Sequence, residues 1–445
     1  DQEYSVHPIP PQSVLPEMSK RQENKKIAFI HPDLGIGGAE RLVVDAAVGL
    51  QDFGHDIIIY TSHCDLTHCF EEVSSGQLKV SVHGDSLPTN LFGKLHIFFA
   101  ILRQFYLVCW LIFTGTIKNY DYFIVDQLSF CIPLLKMFCN SNCQVLFYCH
   151  FPDQLLVRRT SFLKKLYRVP FDAIEEYTTG SSDQIVVNSN FTKQIFHDTF
   201  KKLNHIDPQV VYPCVDTETI VDTNASSNSE VSKFFKDSPF FLSINRFERS
   251  KNIELAIKSF ARMNKLMVTN KKPRLVIAGG YDSRVAENVE YLAELSTLCD
   301  ELNLINFTIR GKLIMMPPSV DVLFLPSIST QLKNSLIQQT ELLLYTPPRE
   351  HFGIVPLEAM LAKTPVLAIN FGGPLETVVN YNGNNLDEAT GYTETGDFTK
   401  WSKIIMKHYN LDESTKIKLG ENGRNRVINK FSRKKLAQSL DNILN

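Results

Sequence analysis

Short apolar runs alternate with helical stretches along most of this chain, and this alternation restricts the fold more than any other feature. In the first series, the apolar runs are 27–30, 57–60, 122–125, 145–149 and 184–188. In the second series, they are 240–244, 274–280, 342–345 and 365–369. Strands that alternate with helices form a parallel sheet with helices on its faces. The sequence therefore predicts an α/β fold with two Rossmann-like, doubly wound domains that face each other across a cleft.

The domain boundaries fall in stretches that lack this pattern. Residues 1–24 are polar and proline-bearing, without the charged start and apolar run of a signal peptide, which predicts a disordered tail. The first domain is then 25–217, and the serines and asparagines within 218–238 indicate a linker. The second domain is predicted at 239–430. Residues 431–445 are predicted to form a C-terminal helix that packs back toward the first domain.

Composition agrees with this organisation and excludes some functions. The 445 residues, 44% of them hydrophobic, can supply two cores. The 46 basic and 48 acidic residues give a net charge of −2, which offers no electrostatic case for nucleic acid. Nine cysteines at scattered spacings indicate a reducing compartment. Cys64 and Cys69 lie beside His63 and His68, but the second cysteine pair that a zinc finger needs is missing at this spacing.

Two glutamates flank the start of a predicted helix in the second series. Turn residues end at Pro347 and Pro348, and a helical pattern begins near Ile354. Glu350 is therefore predicted in the loop before the helix, and Glu358 on the helix itself. Unpaired N–H groups at a helix start, with the helix dipole, stabilise an anion. The pattern predicts a diphosphate between the two carboxylates, of which one reaches a sugar and the other a ribose. Alone, two glutamates at this spacing are more typical of a solvated helix face.

A glycine turn near the start of the first series forms a second candidate half-site. The segment 31–41 contains Gly35, Gly37 and Gly38 and lies between an apolar strand and a helical pattern. Glycines in such a turn let the backbone approach a phosphate. The spacing is neither that of a dinucleotide fingerprint nor that of a P-loop. By itself, the turn is also typical of ordinary packing.

Together the two half-sites resemble the retaining glycosyltransferases of family 4, which have the two-domain GT-B fold. The closest resemblance is to the eukaryotic, fungal-like mannosyltransferases of the dolichol pathway. It covers nearly everything from residue 25 onward and rests on six runs: 31–41, 148–156, 188–192, 212–216, 243–248 and 350–358.

This resemblance implies roles for individual residues. The implied catalytic residues are Glu350, Lys251, Arg246 and His150. The implied donor-binding residues are Gly37, Gly38, His351, Phe352, Gly353, Ile354, Val355 and Glu358. Arg246 and Lys251 would stabilise the negative charge that develops on the leaving phosphate. Without the resemblance, a histidine after an apolar strand, as His150 is, is more often a core histidine than a functional one.

The resemblance also implies the substrates. The donor would be GDP-mannose, and the acceptor a dolichol-diphosphate-linked oligosaccharide that receives α-1,3 and α-1,6 mannose branches at the cytosolic face of the endoplasmic reticulum membrane. Other early dolichol-pathway transferases are implied as partners. No cofactor and no catalytic metal is expected, because the sequence contains no Asp-x-Asp pair and cationic side chains can hold the diphosphate. A transferase of the same family with another acceptor, and a scaffold without activity, remain alternatives.

Two segments are candidates for contact with lipid. The segment 95–113 is apolar, but Arg103 and Gln104 near its middle argue against a membrane-spanning helix. It is predicted either to lie on one leaflet or to be a buried helix. The segment 155–171 is basic and amphipathic, which fits either an anionic surface or a solvated face. The predicted acceptor or membrane contacts are Asp153, Arg158, Arg159, Lys164 and Lys165.

Overall fold

A computed structural model of the chain describes residues 24–91, 95–152, 162–217, 225–267 and 272–445. Residues 1–23 of the tail predicted at 1–24 lie outside these residues. The described chain forms two seven-stranded sheets, in which every named strand pair is parallel. The strand orders are β3-β2-β1-β4-β5-β6-β7 and β10-β11-β9-β8-β12-β13-β14. The prediction of two doubly wound parallel-sheet domains is confirmed.

The strands of the first sheet are β1 Lys26–His31, β2 Asp56–Thr61, β3 Lys79–Val82, β4 Tyr122–Asp126, β5 Gln144–Cys149, β6 Gln184–Val187 and β7 Gln209–Val210. Those of the second are β8 Phe240–Ile244, β9 Arg274–Gly279, β10 Asn306–Thr308, β11 Val322–Pro326, β12 Leu342–Tyr345, β13 Val366–Ile369 and β14 Gly391–Glu394. Most of the central strands are buried along nearly their whole length, as expected where helices cover both faces.

The α-helices before residue 218 are α1 Gly38–Asp52, α2 Glu71–Ser74, α3 His96–Phe113, α4 Ile132–Phe138, α5 Phe162–Gly180 and α6 Asn190–Thr199. Those after residue 224 are α7 Ala225–Phe235, α8 Glu254–Leu266, α9 Ala286–Glu301, α10 Thr330–Gln339, α11 Ile354–Leu361, α12 Pro374–Thr377, α13 Phe398–Tyr409, α14 Glu413–Lys430 and α15 Arg433–Leu444. Each sheet separates two apolar cores, one under the helices of each face.

The segment predicted as a linker differs from a simple connection. Within it, α7 packs on α10, and Asn228 and Ser232 bond to the side chains of Gln338 and Gln339. Val231 and Phe235 are buried in a core of the second domain. Asparagine and serine at the start of α7 resemble a loop in sequence, whereas the buried face comes only later in the segment. The second domain therefore includes α7.

The C-terminal helix α15 crosses back to the first domain. Leu436, Leu440 and Leu444 are buried in the core beneath α1. Gly49 of α1 allows this contact, because a Cβ built there would lie 2.7 Å from the Cβ of Ala437. The helix therefore joins the two domains by packing.

Helix α3 has two unlike faces. Arg103 and Gln104 are buried, and they bond to the backbone of Ser62, Gly84 and Leu128 in the first domain. Phe98, Leu102, Tyr106 and Phe113 are exposed, together with Leu95 just before the helix. Among the described residues, α3 is the one helix that is long and apolar enough to cross a membrane, by length and composition alone. The buried face combines these two polar side chains with Leu107, Val108 and Leu111, whereas the exposed face is apolar.

Candidate functional site

The candidate site lies where the carboxyl ends of the two sheets meet. Loops after β5 and β12 approach each other, and the rings of Phe151 and His351 stack with centroids 3.7 Å apart and planes 10° apart. The Ser189 hydroxyl also donates to the backbone oxygen of His351 at 3.1 Å. Ligands of doubly wound sheets bind beyond the carboxyl ends of the strands, so this is the expected position.

On the second domain, Lys251 and Glu350 form an ion pair with Nζ and Oε2 3.2 Å apart. The hydroxyl of Tyr345, at the end of β12, donates to the same carboxylate oxygen at 3.0 Å. Burial, and then the Glu350 charge, hold the pKa of Tyr345 well above its ordinary value, so it remains a donor. Thr346 fixes the lysine backbone by donating to its carbonyl oxygen at 2.7 Å.

Glycines bring the loop with Glu350 close to neighbouring backbone. Gly372 has φ +70°, and a Cβ there would lie 2.3 Å from the Glu350 carbonyl oxygen. That oxygen accepts a bond from the Gly373 N–H at 2.8 Å. Gly353, with φ +87°, precedes α11, and a side chain there would crowd Tyr345 and Glu350. Any side chain at Gly372 would displace the loop.

The residues before and at the start of α11 lie beside this ion pair. Gly353, Ile354 and Val355 lead into and open the helix, where N–H groups have no intrahelical acceptor and the dipole favours an anion. Phe352 is buried in the core of the second domain. Burial lowers the pKa of His351, with Lys251 lowering it further and Glu350 opposing them.

Glu358 lies on the second turn of α11 and has a partner that the sequence did not reveal. Its Oε1 is 2.8 Å from Nζ of Lys333, which is on α10. Both side chains are partly exposed, so a ligand hydroxyl can reach the carboxylate. Glu350 thus lies in the loop before α11 and Glu358 on the helix itself, as the sequence predicted.

Arg246 follows β8 and is separate from the Lys251 pair. Its Nη1 is 2.9 Å from Oε1 of Glu248, and the side chain is mostly exposed. It lies against Gly280, where a Cβ would be 3.2 Å from its Cγ. Beside it is an open cavity of about 660 Å³ lined by Tyr281, Asp282, Ser283, Arg284, Arg310, Gly311, Pro326 and Ser327. No sequence motif indicated this cavity.

On the first domain, the predicted glycine turn connects β1 to α1. Gly37 precedes α1 and Gly38 begins it. A Cβ at Gly37 would lie 2.2 Å from a carboxylate oxygen of Glu40, so glycine makes room for this side chain. Burial raises the pKa of Glu40, but the interaction with His31 and a backbone hydrogen bond together outweigh it, and the net shift is downward.

His150 is next to Asp126 and His31, two side chains to which the sequence analysis assigned no role. Its Nε2 is 3.1 Å from Oδ2 of Asp126, and His31 Nδ1 is 2.8 and 2.9 Å from the two oxygens of the same carboxylate. Asp126 ends β4 and His31 ends β1. A polar residue directly after an apolar strand was the available signal for both.

Glu376 connects the two domains. Its carboxylate accepts from the backbone N–H groups of Asn190 and Phe191 at 2.8 and 3.1 Å, and from the Tyr212 hydroxyl at 3.0 Å. These N–H groups open α6 of the first domain, and Glu376 belongs to α12 of the second. A residue of one domain thus caps a helix of the other.

The structure brings most of the predicted site residues to the cleft but leaves some untested. Lys251, Glu350 and the segment 351–355 lie together, whereas Arg246 lies beside the separate cavity. Asp153, Arg158 and Arg159 are outside the described residues. Lys164 and Lys165 are on α5, and their side chains are not described.

Comparisons with known proteins agree with this geometry. Residues 36–219 match the model of Glycosyltransferase Family 4, and residues 225–426 match that of Glycosyl transferases group 1. A glycosyltransferase from Rickettsia africae is similar in structure with a TM-score of 0.67, at 18% identity over 95% of this chain and 98% of that one. For sucrose-phosphate synthase from Thermosynechococcus elongatus, the TM-score is 0.68, at 18% identity over 94% and 98%. The fold and the matched families define a glycosyltransferase of the GT-B class.

Relatives in fungi specify the family. The chain is 97% identical to "Alpha-1,3/1,6-mannosyltransferase ALG2" of Candida albicans over 96% of this chain and 100% of that protein. Identity to the protein of the same name from Saccharomyces cerevisiae is 51%, over 94% and 84%. The chain therefore belongs to the alpha-1,3/1,6-mannosyltransferase ALG2 family. The predictions of family, fold class and glycosyltransferase activity are confirmed.

Proposed function

We propose that the cleft transfers mannose from GDP-mannose to Man-GlcNAc2-diphosphate-dolichol and forms the α-1,3 and α-1,6 branches. The observation that carries this proposal is the Lys251–Glu350 pair beside the start of α11. It combines a cation for the leaving phosphate, from the segment after β8, with a carboxylate for the sugar and open backbone donors from the loop after β12. The two linkages are supported by the relatives, which are alpha-1,3/1,6-mannosyltransferases by name.

The donor diphosphate is proposed to lie between Lys251, Arg246 and the start of α11. Breaking the sugar–phosphate bond leaves negative charge on the phosphate, and preorganised cations act where that charge develops. Because these groups can neutralise the diphosphate, we propose that no catalytic metal is required. The acceptor proton then passes to the leaving phosphate on the same face of the sugar, which gives retention without an enzyme nucleophile.

The nucleoside is proposed to extend from the diphosphate toward the cavity beside Arg246. At about 660 Å³ it has room for a base, and Arg310 and Tyr281 line it. The ring of Tyr281 already has the Arg310 guanidinium 5.3 Å from its centroid, so a planar group can stack here. Glu358 is proposed to accept bonds from the ribose hydroxyls in exchange for its contact with Lys333.

The exposed face of α3 is proposed to lie on the cytosolic leaflet of the endoplasmic reticulum membrane. It offers Phe98, Leu102 and Tyr106 at helical spacing, while Arg103 holds the opposite face on the protein. The basic residues on α5 would add attraction to anionic lipid. This placement would bring a dolichol-linked acceptor to the first-domain side of the cleft, where the other early transferases of the pathway could exchange it.

Turnover of defined substrates tests the proposed reaction. Purified protein in detergent is incubated with GDP-mannose and the lipid-linked acceptor, and products are read by mass spectrometry and linkage-specific mannosidases. We expect both branches, with and without EDTA. Turnover only on another acceptor would reject the substrate assignment. Loss in EDTA that Mg²⁺ or Mn²⁺ restores would reject the metal-independent diphosphate site.

Vesicle binding tests the membrane face. Changing Phe98, Leu102 and Tyr106 to Ser is expected to weaken binding to phosphatidylcholine vesicles at least 100-fold, since burial of one large apolar side chain contributes about 1.5–3 kcal/mol. Ile417→Ser is the matched control, because Ile417 is exposed on α14 of the other domain. Equal binding by the triple variant and the control would show that this face does not contact lipid. Lys164→Gln and Lys165→Gln should reduce binding only on vesicles that contain phosphatidylinositol, and less in high salt.

A further inference from the structure

His31, Asp126 and His150 form a hydrogen-bonded trio on three neighbouring strands of the first sheet. His31 ends β1, Asp126 ends β4 and His150 follows β5, and these strands are adjacent in the order β1-β4-β5. Strand pairing places Ile30 opposite Val125, so His31 and Asp126 reach the cleft at the same level. Asp126 lies between the two imidazoles and bonds to both.

The contacts of His31 fix its number of protons. Nδ1 lies within 2.9 Å of both Asp126 carboxylate oxygens. Nε2 is 2.9 Å from the Asp33 carbonyl oxygen and 3.6 Å from Glu40 Oε1. A carbonyl oxygen and an ionised carboxylate only accept, so both ring nitrogens must carry hydrogen. His31 is therefore an imidazolium, and it is buried.

The charges support this count. Burial alone would lower the pKa of His31, but Asp126 and then Glu40 outweigh it and raise the pKa to about 10. Burial would raise the pKa of Asp126, but the His31 charge and bonds from both imidazoles hold it below its ordinary value. The trio thus contains a matched pair of one cation and one anion.

This pairing determines what His150 can do. The Asp126 carboxylate accepts from His150 Nε2, so that nitrogen carries the hydrogen. His150 can therefore keep a lone pair on Nδ1, and its ring is partly exposed at the cleft. Among the described residues, no protein donor to this nitrogen is found.

We propose that His31 and Asp126 are positioning residues that keep His150 in one tautomer, with Nε2–H on Asp126, so that Nδ1 accepts a hydrogen bond from a hydroxyl of the bound sugar or acceptor. His150 then acts as a neutral acceptor and not as a cation for phosphate. This inference rests on the proposed function, because it needs a sugar in the cleft. Outside the trio, the charged group next to His31 is Glu40 of α1. The Tyr148 ring of β5 lies 4.9 Å from that of His150.

Removing the positive charge of His31 is expected to change the protonation of His150. In His31→Gln, the amide still donates to Asp126, but the buried carboxylate loses its cation, so His150 takes up a second proton and Nδ1 no longer accepts. We expect kcat of His31→Gln to fall about 10- to 100-fold near neutral pH, by analogy with partners that orient a metal-bound histidine. The loss should diminish as pH rises, since deprotonation of His150 restores the acceptor.

Removing both charges should restore activity. In His31→Gln with Asp126→Asn, the trio is neutral, and the amide oxygen that replaces the carboxylate can still accept from His150. We expect the double variant to exceed both single variants in kcat and to lose the new pH dependence. Asp441→Asn is the matched control, because Asp441 also holds a buried histidine, His55, with Nε2 2.8 Å from Oδ1. His55 directly precedes β2 and so lies at the amino ends of the strands, whereas the trio lies at their carboxyl ends.

The measurements are kcat and donor KM between pH 6 and 9, GDP binding by calorimetry, and melting temperature for stability. The wild-type protein is assayed first: failure with GDP-mannose rejects the proposed donor, and the variants are then compared on whichever sugar nucleotide is turned over. Unchanged GDP binding, the altered pH profile of His31→Gln and rescue in the double variant would support the trio. Two results would show that the trio is only a core ion pair. Either the single variants melt at lower temperature but keep the kcat of Asp441→Asn, or the loss of kcat in the double variant equals the product of the losses in the single variants.

Discussion

The two sides of the cleft contain ion pairs of opposite character. On the second domain, Lys251 and Glu350 are 21% and 22% exposed, and Lys333 and Glu358 are 24% and 17% exposed. On the first domain, the side chains of His31 and Asp126 are 0% and 3% exposed. The first kind can exchange its partner for a ligand, whereas the second cannot separate without leaving a charge buried.

This difference separates contact from positioning. A partly exposed pair contributes little to stability, about 0–1 kcal/mol, so breaking it to bind a substrate costs little. Removing one member of a buried pair costs about 3–5 kcal/mol, so such a pair holds its neighbours in place. The charged side chains on the second domain can thus exchange their partners for a ligand, whereas the buried pair on the first domain fixes the position of the His150 imidazole.

The largest effect is expected where a cation meets the leaving group. Lys251→Ala and Arg246→Ala should each lower kcat/KM about 100- to 1,000-fold, the loss typical of a group that stabilises transition-state charge. Both linkages should fall together, because both transfers share one leaving group. Rates are measured for each branch with linkage-specific mannosidases.

Arg249→Ala is the control for these two variants. Arg249 is also exposed on the segment after β8, but its guanidinium is paired with Glu290 and Glu294 of α9, with Nη2 3.1 Å from the Glu290 carboxylate. It should retain turnover close to that of the wild-type protein. If Lys251→Ala abolished one linkage and left the other at the wild-type rate, the prediction of a single donor site would be wrong.

Much of the fold and part of the site could be predicted from sequence, for a physical reason. Strand positions follow from local apolar runs, and the place of Glu350 before α11 follows from turn residues close by in the chain. Lys333, Asp126 and Glu376 were missed because their partners are far away in sequence and are set by strand order and domain packing. Helix α7 was read as a linker because its first turn is polar.

An intermediate effect is expected on the ribose side. Glu358→Gln should raise the donor KM about 10- to 100-fold, since hydrogen bonds to a charged group contribute about 1.5–3 kcal/mol. The effect on kcat should be smaller, because the ribose is remote from the bond that breaks. Calorimetry with GDP measures the same loss without turnover.

Lys333→Met separates the carboxylate from its lysine. This variant keeps Glu358 but removes the cation 2.8 Å away, so the carboxylate no longer has to leave a partner when the donor binds. Affinity for GDP should stay the same or rise. A loss as large as that of Glu358→Gln would assign the donor contact to the lysine instead.

The smallest effect is expected at the contact between the domains. Glu376→Ala removes the cap that α12 supplies to α6, and a helix cap contributes about 0.5–2 kcal/mol. Asp397→Ala is the matched control, because Asp397 caps α13 through the N–H groups of Thr399 and Lys400 within the second domain alone. Both variants should lose similar stability in a thermal melt. If the cap holds the half-sites together, only Glu376→Ala should also lower kcat, by about 5-fold for 1 kcal/mol, with GDP binding unchanged because the proposed donor contacts lie within the second domain. Equal kcat in the two variants would mean that the two half-sites stay aligned without this cap, through the Phe151–His351 stack, the Ser189 hydrogen bond and the packing of α15.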